Sequence, residues 1–267
     1  MTFAEIVRFA GCPTAWSSAC DFLKSQEDWR AYNLVVEITT PGALSARDKY
    51  VYRTVDEFLR KNDSQSLSTV ANTIFPLSFY KKYGAEGVYE KYPAAFSKIK
   101  KHPSVHWGTY AQRMLRRKRL DGTEINPLRD LVFKLKKQLE RAGPMRAVYE
   151  LGIDDLSVDL PIYDPASDRK QPIGGPCLSH ISCKLCPERR LLLTAIYRSH
   201  YYIERALGNF IGLAQLQAFI CEQARIDAGH LVCVSTMAKL DRKSGSWGKR
   251  KIEDLLHACQ DSGFVFE

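Results

Sequence analysis

The chain of 267 residues is 45% hydrophobic and 26% charged, with a net charge of +9 and a pI near 9.1. That supplies apolar material for a full core, and no apolar run reaches the ~18 residues of a membrane span. The N-terminus mixes Glu5 and Arg8 into its apolar residues, unlike a signal peptide, so a soluble cytoplasmic protein is expected. Eight scattered cysteines favour buried or reactive thiols over a disulfide framework. The positive charge favours an anionic ligand, from a small phosphate to nucleic acid. Its densest runs, at 113–119 and 242–251, read equally well as solvated basic faces.

In chain order, residues 15–24 predict a helix with Ala15, Trp16, Ala19, Phe22 and Leu23 on one side. Residues 33–39 are β-rich and stop at Pro41-Gly42, which predicts a strand. An amphipathic helix follows at 45–61, striped by Val51, Val55, Phe58 and Leu59, and residues 66–107 read as short helices broken by glycine and proline. Residues 127–141 predict a helix capped by Asn126, opened by Pro127 and ended by Gly143. After a strand at 146–151 and a polar loop at 157–172 come two paired strands, 178–185 and 191–197, turning at Cys186-Pro187-Glu188-Arg189. An apolar helix at 210–226 and an extended run at 230–236 complete one α+β domain with a mixed sheet.

The chemistry concentrates in the last third. Cys177 follows Gly174-Gly175-Pro176 at the mouth of a strand, where a displayed thiol beside a cation would be a nucleophile; packing is the plainer reading of a lone cysteine. Cys177, His180, Cys183 and Cys186 also recur at every third position, so a zinc or iron–sulfur module stays open, although ligands so spaced on a strand face opposite sides. Arg198-Ser199 at a strand end offers forked N–H donors and a hydroxyl to a phosphate, or a surface salt bridge. Asn209 suits either a helix cap or the donor–acceptor edge of a uracil ring. Glu57, beside the apolar stripe of its helix, is a solvated flank or, if partly buried, a proton shuttle.

Together these residues and their spacing resemble the thymidylate synthase family, including its pyrimidine hydroxymethylase branch. Pro176-Cys177 matches the family's Pro-Cys nucleophile, Tyr197-Arg198-Ser199 its Gln-Arg-Ser phosphate motif and Asn209 its base-reading asparagine. Gly229 and Lys239-Leu240-Asp241 fall on the strand bearing the family's sugar-binding His and Tyr. Upstream, Trp107-Gly108 resembles its Tyr-Gly, Glu57 its proton-relay glutamate, and Arg146 an arginine lent across a dimer interface. The resemblance spans residues 33–241, most closely 176–241. The departures are Tyr197 for Gln, Tyr201 for a folate-contacting Asp, Trp107 for a Tyr, and Lys239 and Asp241 for the His and Tyr; no segment matches the one that closes over folate.

The resemblance implies a single thymidylate synthase-like domain over residues 1–267, a mixed sheet flanked by helices, with a divergent helical part at 1–32 and a short basic tail at 242–267. It implies transfer of a one-carbon unit, methyl or hydroxymethyl, to C5 of a pyrimidine nucleotide through addition of Cys177 to C6. Cys177, Glu57 and Asn209 would be catalytic. Arg198, Ser199, Arg146, Lys239, Asp241, Trp107 and Tyr197 would bind a pyrimidine nucleoside monophosphate, and Asp241 would suit a ribose diol. The implied donor is 5,10-methylenetetrahydrofolate, the implied assembly a homodimer, and no metal is implied. The alternatives are a nucleotide- or RNA-binding relative using its basic runs, or a metal module around Cys183 and Cys186.

Overall fold

The computed structural model describes residues 6–96, 108–119, 121–153 and 176–260. The chain begins with strand β1 (Ile6–Phe9) and helix α1 (Cys12–Ser25), whose Pro13 sits in the first turn, where its missing N–H costs nothing. Trp16 is fully buried on α1, and its indole N–H donates to the Tyr202 carbonyl at 2.6 Å, which ties the helix to the last third of the chain.

Strand β2 (Arg30–Ile38) leads to helix α2 (Ala46–Lys61). Here Ser45 and Asp48 form a reciprocal capping box that satisfies open amides of the first turn. Three short helices follow: α3 (Leu67–Asn72), α4 (Leu77–Glu86) and, after a π-helical turn at Gly87–Lys91, α5 (Tyr92–Ala94). Beyond them lie α6 (Tyr110–Leu115) and a small hairpin of β3 (Arg117–Lys118) and β4 (Glu124–Ile125). Helix α7 (Pro127–Leu139) is capped as its sequence predicts, the Asn126 side chain accepting from the Arg129 N–H at 3.0 Å.

The rest of the sheet comprises β5 (Tyr149–Gly152), β6 (Leu178–Leu185), β7 (Arg190–Tyr197), β8 (His200–Tyr201) and β9 (Asp227–Lys239). Its order is β1-β2-β9-β7-β6-β5, with β8 paired to the end of β9. The β1–β2 and β7–β9 pairs are parallel, and β2–β9, β6–β7 and β5–β6 are antiparallel, so the sheet is mixed. One face is buried along the central strands β2, β9, β7 and β6, in the register row Val36, Cys233, Ala195, Ile181; on the other, the row His180, Ile196, Val234, Val35 is only partly covered.

Helix α8 (Leu207–Ala224) is apolar around most of its circumference because it runs through the core. It lies so close to α3 that a Cβ on Gly212 would come within 2.7 Å of the Ala71 carbonyl oxygen. The chain expected to be a short basic tail instead forms helix α9 (Lys249–Gln260), which buries Ile252, Leu255, Leu256 and Cys259 along one stripe. The expected helical N-terminal part includes a strand, β1.

Candidate functional site

Cys177 precedes β6, and Arg198 follows β7, its antiparallel neighbour, so the hairpin register brings them together. The Arg198 N–H donates to the Cys177 carbonyl at 2.9 Å, and its guanidinium charge acts on the Cys177 thiol. Two further side chains reach the same place. Arg205, on the π-helical turn Tyr202–Ala206, adds a second positive charge, and its guanidinium is steadied by the Gln65 side chain. The buried hydroxyl of Tyr110, at the start of α6, accepts from the Leu178 N–H at 3.4 Å and shares the field of the thiol.

Opposing effects set the thiol's acidity. Burial raises the Cys177 pKa, and Arg198 and Arg205 pull it back only in part, so the net shift is upward. The sequence leads one to expect Arg198 to promote ionisation; it acts in that direction, but desolvation outweighs it. The neutral thiol is therefore the resting form at neutral pH.

Behind this cluster the structure assembles a buried polar chain. Asn209 Nδ2 lies 3.0 Å from His200 Nε2, His200 Nδ1 lies 3.0 Å from Ser235 Oγ, and Ser235 Oγ lies 3.1 Å from the Tyr202 hydroxyl. The His200 ring stacks flat on Tyr197, with centroids 4.1 Å apart and planes within 4°. Burial drives the His200 pKa down to about 3, so the ring is neutral. Neither cap nor exposed contact describes Asn209: it stands inside the first turn of α8, 4% exposed.

The remaining sequence-nominated residues separate into those near the thiol and those elsewhere. Ser199 sits beside Arg198 in a turn that the Thr236 hydroxyl secures by donating to the Arg198 carbonyl at 2.9 Å. Tyr197 is fully buried, its hydroxyl without a partner, so it forms a wall near the thiol rather than an exposed contact. Lys239 closes β9, in register with Arg30 and Tyr201.

Asp241 corrects the expectation of a sugar contact. It is 6% exposed, and its Oδ1 accepts from the Ile203 and Glu204 amides at 2.8 and 3.4 Å. The carboxylate is turned inward because these amides open the Tyr202–Ala206 turn and need an acceptor. Glu57 projects into solvent and pairs with Lys61 one turn on, turned away from the Cys177 cluster. A carboxylate there is the solvated flank, not a buried shuttle. Arg146 is exposed, its carbonyl accepting from the Leu185 N–H and its charge acting on Glu188, at the opposite end of the β6–β7 hairpin from Cys177. Trp107 lies outside the described residues.

No protein-family model matches the chain, and no curated protein matches it. Among solved structures, the thermostable thymidylate synthase A from Bacillus subtilis is similar over 94% of this chain and 84% of that one, with a TM-score of 0.49 and 11% identity. That likeness is one of chain trace and assigns no residue a role.

The metal reading fares differently from the thiol reading. Cys183 is sealed in the core, Cys186 lies at the hairpin turn, and His180 bonds Glu150 at 2.7 Å. Among the described residues no three His, Cys, Asp or Glu side chains converge as metal ligands would. Two surface hollows, one at residues 242–248 and one of about 330 Å³ between α7 and β5, do not include Cys177.

Sequence reasoning missed Tyr110, Arg205, Gln65 and His200. Only two of them carried a signal: Tyr110 opens the helix set by a Thr109/Gln112 capping box, and His200 directly follows Arg198-Ser199.

Proposed function

We propose that this protein is a transferase that activates a pyrimidine nucleotide for one-carbon transfer at C5. The observation that carries the reading is Arg198, held against Cys177 by its N–H bond to the Cys177 carbonyl at 2.9 Å, bringing its guanidinium charge to the thiol together with that of Arg205. A thiol between two cations suits an electron-poor ring attached to an anion: the cations bind the phosphate, and they stabilise thiolate as it forms. In the step, the S–H proton leaves to solvent and sulfur bonds to C6. The C5=C6 electron pair moves toward the C4 oxygen, and C5 becomes the nucleophile. The Tyr110 and Tyr197 rings, 6.5 Å apart and edge to face, pack close to the sulfur.

The resemblance to the thymidylate synthase family implies a folate donor. Tyr201, 47% exposed, stands where a carboxylate would contact the pterin, and the nearest carboxylate in sequence, Glu204, is engaged by Ser64 and Lys243. These residues do not fit folate, and the activated ring would instead meet another electrophilic one-carbon donor.

A second copy of the chain belongs to this reading. Arg146 cannot reach the Cys177 end of its own hairpin, but a partner apposed through the partly covered sheet face, along Ile196, Val234 and Val35, would bring one in. The raised thiol pKa favours one competing reading, a nucleotide-binding protein that no longer transfers.

The test is incubation with 5-fluorouridine and 5-fluorocytidine monophosphates, ribo and deoxy. A covalent adduct seen by mass spectrometry, and absent in Cys177→Ala, supports ring activation. Failure with all four, together with no release of tritium from C5-labelled nucleotides, leaves binding alone.

A further inference from the structure

Left to itself, Arg205 would spend little time at the thiol. Its side chain is 37% exposed, and a long cation open to water samples many rotamers, so a charge aimed at one sulfur has to be held there. A competing anion also stands next to it, with Glu204 Oε2 at 3.6 Å from Arg205 Nε. Yet the guanidinium acts on both the Cys177 thiol and the Tyr110 hydroxyl, which puts it on the Cys177 side of its turn.

Two loops account for this placement. From the chain after β9, Asp241 Oδ1 accepts from the Ile203 and Glu204 amides at 2.8 and 3.4 Å, opening amides of a helical segment that have no partner within it. They belong to the two residues before Arg205, so these bonds fix the direction in which its side chain leaves the backbone. Asp241 is itself anchored, its carbonyl accepting from the Trp247 indole N–H at 2.8 Å. From the chain before α3, Gln65 Oε1 accepts from Arg205 Nη1 and holds the far end of the side chain. The same loops draw off the competitor: Glu204 Oε1 accepts from the Ser64 hydroxyl at 2.9 Å and from Lys243 Nζ at 3.1 Å.

We propose that Asp241 and Gln65 are positioning residues that hold Arg205 at Cys177, Asp241 through the backbone of the Tyr202–Ala206 turn and Gln65 through the guanidinium, and so set the nucleophilicity of the sulfur. The inference rests on the reading of Cys177 as the reacting thiol, whatever the electrophile. Neither residue touches a reacting atom; both act through Arg205. The sign of the effect separates this route from a direct one. Deleting a nearby carboxylate makes a thiol more acidic by charge alone, whereas releasing Arg205 makes it less acidic.

The experiment follows alkylation of Cys177 by iodoacetamide against pH, read by mass spectrometry on the peptide that carries it. The proteins are the wild type, Asp241→Ala, Asp241→Asn, Gln65→Ala and Arg205→Ala, with Asp241→Ala and Gln65→Ala also combined singly with Arg205→Ala. Asp241→Ala and Gln65→Ala should each move the midpoint to higher pH and slow the reaction near pH 7.5 by about threefold. Added to Arg205→Ala, neither should move it further. Asp241→Asn, which keeps an oxygen for the Ile203 amide, should restore most of the rate. Gln65→Ala, in a partly exposed loop, keeps the test open should Asp241→Ala fail to fold. A midpoint that falls in Asp241→Ala, stays unchanged in Gln65→Ala, or moves again in the double variants overturns the proposal. Iodoacetamide needs no pyrimidine site, so the expected shifts without any fluoropyrimidine adduct would uphold the clamp and overturn the pyrimidine reading alone.

Discussion

Arg198 acts on Cys177 twice, through its backbone N–H to the Cys177 carbonyl at 2.9 Å and through the guanidinium charge that it brings to the thiol. The first bond fixes the geometry that makes the second possible, because it closes the open end of the β6–β7 hairpin. Removing the side chain should therefore alter the thiol's chemistry without unfolding the hairpin.

In Arg198→Ala the Cys177 thiol should lose its principal opponent to desolvation. Its midpoint for iodoacetamide alkylation should move to higher pH, and the rate near pH 7.5 should fall by about tenfold. Arg205→Ala should act in the same direction and less strongly, since its influence ranks second to that of Arg198. An unchanged pH profile in both variants would show that the two guanidinium groups do not govern this sulfur.

Asp241 makes stability depend on pH in an uncommon sense. Burial lifts its carboxyl from 3.8 to about 6, against the pull of the amides it accepts from. A folded value above the unfolded one means that the folded state holds the proton more tightly. The stabilisation is complete below the unfolded value and is lost as pH rises through about 6. Asp241→Asn keeps an acceptor for Ile203 and carries no charge. Urea unfolding should show its stability relative to the wild type improving by up to about 3 kcal/mol between pH 3.5 and pH 7. A pH-independent gap between the two proteins would refute the assignment.

The contact of α3 with α8 leaves no room for a methyl group at Gly212, where the opposing atom is a backbone oxygen that cannot swing aside. Gly212→Ala should cost about 1–3 kcal/mol in chemical denaturation. Gly143→Ala, with nothing within 4 Å of the added carbon, serves as the control and should be close to neutral.

If Arg146 serves the site of a second copy, subunit mixing will reveal it. Arg146→Ala and Cys177→Ala should each form little or no fluoropyrimidine adduct alone. Mixed after reversible dissociation, they should regain adduct on the subunits that keep Cys177. No recovery, with Arg146→Ala as active as the wild type, would exclude a shared site.

Local chemistry was the legible part of this chain. Asn126 and Ser45 announce their helices because a cap needs only the next three residues, and the β6–β7 hairpin is written in two β-rich runs and a turn. Cys177 and Arg198 were legible as a pair because hairpin register is local too. What escaped depends on distant packing. Asp241 looks like a ligand contact until the Tyr202–Ala206 turn claims it, and Glu57 looks poised until its helix shows the other face to the core. Helix α9 was a different failure: Ile252, Leu255, Leu256 and Cys259 repeat at helical spacing, but the surrounding lysines and arginines masked the stripe.

Strand β9 joins the two halves of the sheet, hydrogen-bonding β2 on one side and β7 on the other. On the ribosome, β2 emerges well before its partner at residues 227–239. Until then β2 offers an open edge to any passing extended chain, and the β5–β6–β7 unit waits with the Cys177 hairpin formed but unanchored. The nascent polypeptide should thus depend on holdase protection between the synthesis of β2 and that of β9, and closing the sheet should be a single event that waits for β9.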